Sequence, residues 1–193
     1  MNKVFIAIPN LGWIQTQLAL TVPRWLRDHQ DSILYAPQNL KPIAYARNYC
    51  VDVFLKSGAS HLLMIDADIA PAPDTLSRLL AAGVPVIAAK VHQLKRDDDG
   101  QLKPCPMLMR RDKEGNFRAA YDKGVQKIDR AGFACMLYSR VVFEKIKCPW
   151  FDQRPWGAIR GTDFIFCEKM EEAGIPLYGH FDVECQQYIQ CYI

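Results

Sequence analysis

The segment Asp66-Ala67-Asp68 sets two carboxylates one small residue apart, directly after the apolar run Leu62-Leu63-Met64-Ile65. Such a run suits a parallel strand covered on both faces, and in open α/β sheets ligands collect at the carboxyl ends of those strands. The pair therefore stands at the mouth of a site. At an effective dielectric of about 20, a carboxylate ~4 Å from one unit of phosphate charge is opposed by ~4 kcal/mol. A bound Mg²⁺ or Mn²⁺ reverses that sign, because hard cations take carboxylate and phosphate oxygens together. The chemistry suited to these residues is a divalent metal held against a diphosphate; the plain alternative is a solvated turn after a strand.

A second group is Gly161-Thr162-Asp163-Phe164. Asp163 falls in a first helical turn, where the macrodipole favours its ionised form by ~0.3–1 kcal/mol. It is either an ordinary helix-start acid or a base that takes a proton from an attacking hydroxyl. Arg47, beside the apolar face of the helix feeding the acidic strand, can fork onto phosphate or ribose oxygens, pair with Asp66, or simply lie at the surface. His180 and Gln187, near the carboxyl end, are candidates for a further metal or phosphate contact, against a structural role for the histidine. Trp150, Phe151 and Trp156 can stack on a sugar or base, or pack as a lid. Lys95-Arg96 and Arg110-Arg111 read as solvated hairpin faces.

The elements that must position these groups follow from periodicity and turn residues. Residues 3–8 read as a strand stopped by Pro9-Asn10-Leu11-Gly12, followed by a helix over 14–28 that Pro23 should kink or split. A strand over 32–36 leads to a helix opened by Pro42, with Ile43, Ala46, Cys50, Val53 and Phe54 on its apolar face. After the acids, Pro71, Pro73 and Asp74 precede a short helix ended by Gly83, then a strand over 84–89. This alternation implies a parallel sheet with right-handed crossovers. Residues 90–132 are polar and turn-rich, with hairpin tips at 96–100 and 112–116, and predict antiparallel strands. A strand over 133–138, a helix over 141–146, an aromatic loop over 150–160, a helix capped by Thr162 and ended by Gly174, and strands near 176–178 and 182–189 complete the reading.

The chain has 193 residues, half of them apolar, which suffices for one domain with its own core. A formal charge of +3, from 24 basic and 21 acidic residues, tolerates a phosphorylated ligand without announcing nucleic acid. Seven cysteines, an odd number with no Cys-x-x-Cys pair, read as reduced thiols and point to a cytoplasmic protein. The apolar stretch before Pro9 is too short for a signal peptide, and no segment approaches the length of a membrane span.

Taken in order, these residues resemble a small GT-A fold glycosyltransferase, of the compact bacterial and phage type similar to the family-two enzymes. The opening strand and turn is matched by Ile6-Ala7-Ile8-Pro9, and the Ala-Arg-Asn helix by Ala46-Arg47-Asn48. The metal-binding Asp-x-Asp is matched by Asp66-Ala67-Asp68. The glycine-containing strand before the acceptor region is matched by Ala131 to Leu137, and the acidic helix start by Thr162 to Cys167 through Ala173-Gly174.

The resemblance implies one α/β domain over 1–193, a Rossmann-like GT-A sandwich with a mostly parallel central sheet and an antiparallel acceptor-side extension. Residues up to about 90 form the nucleotide-sugar half, and 91–193 the acceptor half. It implies metal-dependent transfer of a sugar from a UDP- or GDP-linked donor to a hydroxyl acceptor, a glycan or a modified nucleic acid, with inversion. Asp163 is the implied base, Pro9, Arg47, Asp66 and Asp68 the implied donor contacts, and Mn²⁺ or Mg²⁺ the implied cofactor on Asp66 and Asp68. Two departures stand out: Thr162 replaces a glutamate, and Gln186-Gln187 falls where the family often ends in a metal-binding Gly-His, leaving Gln187 or His180 as a substitute ligand. A haloacid-dehalogenase-like phosphatase is a rival, but it carries its paired acids on the first strand and a threonine where this chain has Ala70. The third alternative is a non-catalytic nucleotide-binding module.

Overall fold

The computed structural model describes residues 3–96, 99–152 and 161–188. The first part alternates as expected: β1 (Val4–Ala7), α1 (Thr16–Asp28), β2 (Ile33–Tyr35), α2 (Ile43–Lys56) and β3 (His61–Ile65). The acids follow, then β4 (Ile69–Ala70), α3 (Thr75–Ala81) and β5 (Val86–Arg96). The turn-rich middle supplies β6 (Leu102–Pro106), β7 (Leu108–Arg111), β8 (Phe117–Ala119), β9 (Val125–Ile128) and β10 (Arg130–Ala131). The remainder is β11 (Cys135–Ser139), α4 (Arg140–Lys145), α5 (Thr162–Glu172) and β12 (Leu177–Gln187).

The main sheet runs β2-β1-β3-β11-β5-β12-β4, with β6 added on β5 and β9 on β12. β1 is parallel to β2 and β3, and β5 is parallel to β12. β11 is inserted antiparallel between β3 and β5. A second, three-stranded sheet runs β10-β7-β8. The architecture is a mostly parallel central sheet carrying antiparallel strands from the later half of the chain.

Alternating strand residues feed two apolar layers. Phe5, Leu62, Met64, Ala88 and Tyr138 face α2, α4 and α5, whereas Ile6, Leu63, Ile65, Ile87 and Leu137 face α1 and α3. Burying each of the larger side chains contributes roughly 1.5–3 kcal/mol. In the first layer the rings of Phe133, Tyr138, Phe143, Phe151 and Phe166 meet at centroid distances of 4.6–6.3 Å, mostly edge to face.

Four expectations are corrected. Pro23 does not split its helix: α1 is continuous through it, with the proline on the exposed face beside exposed Ala19, whose carbonyl loses its amide partner. The buried stripe of α2 is Ala44, Arg47, Val51 and Phe54, with Ala46 and Cys50 beside it; Ile43 is exposed and Val53 half-buried. Thr162 opens α5 but Gly161 is its N-cap, and the threonine hydroxyl is used elsewhere. The two expected terminal strands are one, β12, whose pairing with β5 shifts register between His180 and Glu184.

Candidate active site

The acids leave β3 where its neighbours also end, and four backbone hydrogen bonds fix their loop. Asp66 N–H donates to the Ala134 carbonyl (2.9 Å), Gln15 N–H to the Ala67 carbonyl (2.8 Å), Ile69 N–H to the Asp66 carbonyl (3.2 Å) and Tyr188 N–H to the Asp68 carbonyl (3.0 Å). Segments from both ends of the chain thus hold one tripeptide.

Arg47 sits at the centre of the site, 4% exposed. It occupies a position of the α2 stripe where periodicity calls for an apolar residue, so its guanidinium points into the protein. Nη2 donates to both Asp66 oxygens (3.3 and 3.4 Å), and Nη1 to Asp163 Oδ1 (2.6 Å) and Thr162 Oγ1 (3.0 Å). The Phe133 and Phe151 rings lie 5.7 and 5.9 Å from its Cζ. Burial opposes its charge, but the Asp66 and Asp163 carboxylates more than offset this and hold its pKa above the ordinary value. Its Nε is buried without a partner among the described residues.

Asp163 lies in the first turn of α5. Besides Arg47, its Oδ1 accepts from Thr162 Oγ1 (3.0 Å), and its Oδ2 accepts from the Phe133 N–H (3.1 Å). Both oxygens are engaged. Asp66 differs: its pKa is raised to about 6, with burial the largest cause, the Arg47 guanidinium opposing it, and the Asp163 and Asp68 carboxylates adding to the rise. Asp68 is partly buried, and its Oδ2 accepts from Gln187 Nε2 (3.0 Å).

The structure therefore brings Arg47, Asp66, Asp68, Asp163 and Gln187 together. Pro9 lines a separate small cavity of about 170 Å³ with Asn10, Leu40, Ile43 and Ala46, between the end of β1 and the start of α2. His180 is not delivered to the acids. It pairs opposite Ala89 and Val125, seven residues up β12 from Gln187, or roughly 20 Å of extended chain. There burial, with Arg78 adding to it, pushes its imidazole pKa down. Trp150 and Phe151 are core residues: the indole N–H donates to the Phe143 and Ile146 carbonyls, and Phe151 is clamped by Asn48 through both main-chain groups. Trp156 lies outside the described residues. Sequence reasoning missed the Arg47–Asp163 link; the only available signal was a charged residue on a buried helical stripe.

The donor set around Asp68 consists of oxygen, a carboxylate beside an amide, which matches Mg²⁺ or Mn²⁺. Among the described residues no three His, Cys, Asp or Glu cluster as metal ligands. No described helix is long and apolar enough to cross a membrane.

No family model and no curated protein matches the sequence. Among solved structures, A197 from STIV superposes with a TM-score of 0.66 at 17% identity, over 97% of this chain and 86% of that one. GalNAc-T7, crystallised with UDP, GalNAc and Mn²⁺, gives 0.66 at 12% identity over 98% of this chain. TarS from S. aureus, in complex with UDP-GlcNAc, gives 0.51 at 13% identity over 99% of this chain. The fold is GT-A-like. This GT-A-like chain spans 43% of the GalNAc-T7 chain and 62% of the TarS chain.

Proposed function

We propose that the protein is a metal-dependent glycosyltransferase, moving a sugar from a UDP- or GDP-linked donor to a hydroxyl acceptor with inversion. The observation that carries this reading is the convergence of Asp66, Asp68, Arg47 and Asp163 at the carboxyl end of β3 in a GT-A-like sheet. The solved structures of GalNAc-T7 with UDP and Mn²⁺ and of TarS with UDP-GlcNAc support a nucleotide sugar as donor.

In this reading Asp68, with Asp66 beside it and Gln187 alongside, holds Mg²⁺ or Mn²⁺, which when bound neutralises charge gathering on the departing diphosphate. Pro9 and its cavity receive part of the nucleoside. Arg47 is the cation facing both the donor carboxylates and Asp163. Asp163 receives the proton of the acceptor hydroxyl as that oxygen attacks the anomeric carbon from the face opposite the diphosphate. For this its Oδ1 must give up Arg47, so the incoming diphosphate, which attracts the same guanidinium, frees the base. Donor binding would precede acceptor activation.

Thermal unfolding of the full chain against UDP- and GDP-sugars, with and without Mn²⁺, tests the proposal. Stabilisation by one donor only with metal, growing as RT ln(1 + [L]/Kd), is expected; no response to any donor would overturn it. The full hydrogen-bond complement of Asp163 also favours a second reading, a nucleotide-binding module without turnover. Donor hydrolysis or transfer, measured on the same samples, separates the two.

A further inference from the structure

Beyond the acidic pair, the later strands enclose a trough in two parts. One part, about 590 Å³, is bordered by Lys90, His92, Pro106, Tyr121, Gln126 and Phe181. The other, about 690 Å³, is bordered by His92, Leu94, Pro104, Glu184, Gln186 and Tyr188. His92 belongs to both, and each part has the size of a small-ligand pocket. The second part abuts the acids through Gln187, whose amide also borders it while donating to Asp68.

The chemistry of the walls is specific. Glu184 on β12 bridges Lys90 (2.8 Å) and His92 Nδ1 (3.3 Å) on β5, and Asp122 pairs with Arg110 (2.6 Å). Lys90 and Arg110 are thereby paired, and Lys123 is the one lining lysine with no ion pair among the described residues, which is not the row of unpaired cations that a phosphate backbone demands. What remains is a set of groups that donate and accept at once, the amides of Gln93, Gln126 and Gln186, to which His92 adds its Nε2, Nδ1 being turned to Glu184. Hydroxyls have the same dual character. Two largely exposed rings, Tyr121 (74%) and Tyr188 (50%), mark the two parts, with Leu94 and Pro104 beside the second. Flat apolar walls combined with amphoteric edges match a pyranose, which has apolar C–H faces and a rim of hydroxyls.

We infer that this trough is the acceptor site and that it takes a neutral oligosaccharide, with His92, oriented by Glu184, and Tyr121 as residues that set its specificity. The acceptor role rests on the glycosyl-transfer reading; the saccharide chemistry of the trough does not. A modified nucleic acid is thereby disfavoured as acceptor, since one lysine, Lys123, is left to meet phosphate along the trough once Lys90 is paired with Glu184.

The test uses the full chain on an array of neutral oligosaccharides, with fluorescent single-stranded DNA and unstructured peptides as competing probes. Binding of at least one saccharide is expected, weakened tenfold or more by Tyr121→Ala and by His92→Ala. Both variants are expected to keep the parent's melting temperature, because Tyr121 lies in an exposed connection and His92 is only partly buried. Stabilisation by UDP with Mn²⁺ is measured on the same variants and is expected to be unchanged. Failure of every saccharide to bind, binding indifferent to both substitutions, or preferential capture of DNA or peptide would overturn the inference. Saccharide binding without any nucleotide response would remove the donor reading and leave the trough chemistry standing.

Discussion

Arg47 Nη1 lies 2.6 Å from Asp163 Oδ1, joining a helix of the first half of the chain to one 116 residues later. The same guanidinium reaches Asp66 through Nη2, so one buried cation balances two carboxylates. Removing it leaves two like charges facing each other in a half-dry pocket. Breaking a buried ion pair from one side costs about 3–5 kcal/mol. Arg47→Ala should therefore lose stability of that order in urea unfolding, and adding Asp163→Asn should restore part of it. An additive double variant would show that the pair is not coupled.

Asp68→Asn should leave the fold nearly untouched, because Gln187 can still hydrogen-bond the amide. Unfolding free energy without ligand is expected to stay within about 0.5 kcal/mol of the parent. The stabilisation by Mn²⁺ with a nucleotide sugar should disappear in a thermal-shift assay. Retention of the full shift would move the metal elsewhere.

Asp163→Asn separates proton transfer from donor binding. Loss of a positioned base typically lowers turnover by about 10²–10⁴. The variant should bind donor and metal at least as tightly as the parent in calorimetry, because Arg47 no longer has to leave a carboxylate, while its kcat falls in that range. An unchanged kcat would exclude Asp163 as the base.

Asp66 gives the free protein a pH signature. Its pKa is raised to about 6 in the fold, from an ordinary value near 4, so between these limits the folded chain holds more proton than the unfolded one. Its contribution to stability therefore declines as pH rises from about 4 to about 6 and stays at the lower level above that. Asp66→Asn should remove this decline from a plot of unfolding free energy against pH, measured without metal. A parent and variant with parallel profiles would refute the assignment.

Gly179 marks a tight contact between the two sheets: a Cβ there would lie 2.9 Å from Leu108 Cδ1 and 3.3 Å from Ile128 Cδ1. Overpacking of this kind costs typically about 1–3 kcal/mol. Gly179→Ala is expected to lower the denaturation midpoint accordingly, and Leu108→Ala in the same chain to relieve part of the loss.

Much of the first 90 residues was legible because local signals agreed there. Apolar strands, Pro42 before α2 and the stop at Gly83 each gave the same alternation. The acids were legible because a strand end followed by carboxylates is a local pattern. The position of Arg47 was not: its role comes from the rotation of the α2 stripe, and Ala44 and Val51 present nothing in sequence that Ile43 and Val53 lack. The continuity of β12 was hidden by Phe181-Asp182-Val183, where a register shift breaks the period-two pattern while the chain stays extended. The place of β11 was equally hidden, since a strand apolar on both faces is compatible with either direction and any interior slot. His92 and Glu184, 92 residues apart, meet only through that sheet order.

The insertion of β11 also governs how the chain can acquire its shape. β3 and β5 are not paired with each other; residues 135–139 must arrive before the middle of the sheet can close. Contacts of such long sequence separation place this protein among slow folders, and they bar the first 90 residues from condensing into a persistent unit on their own. A polypeptide severed in the connection near residue 100 should stay unstructured as separate fragments and recover its cooperative transition only when the two are mixed.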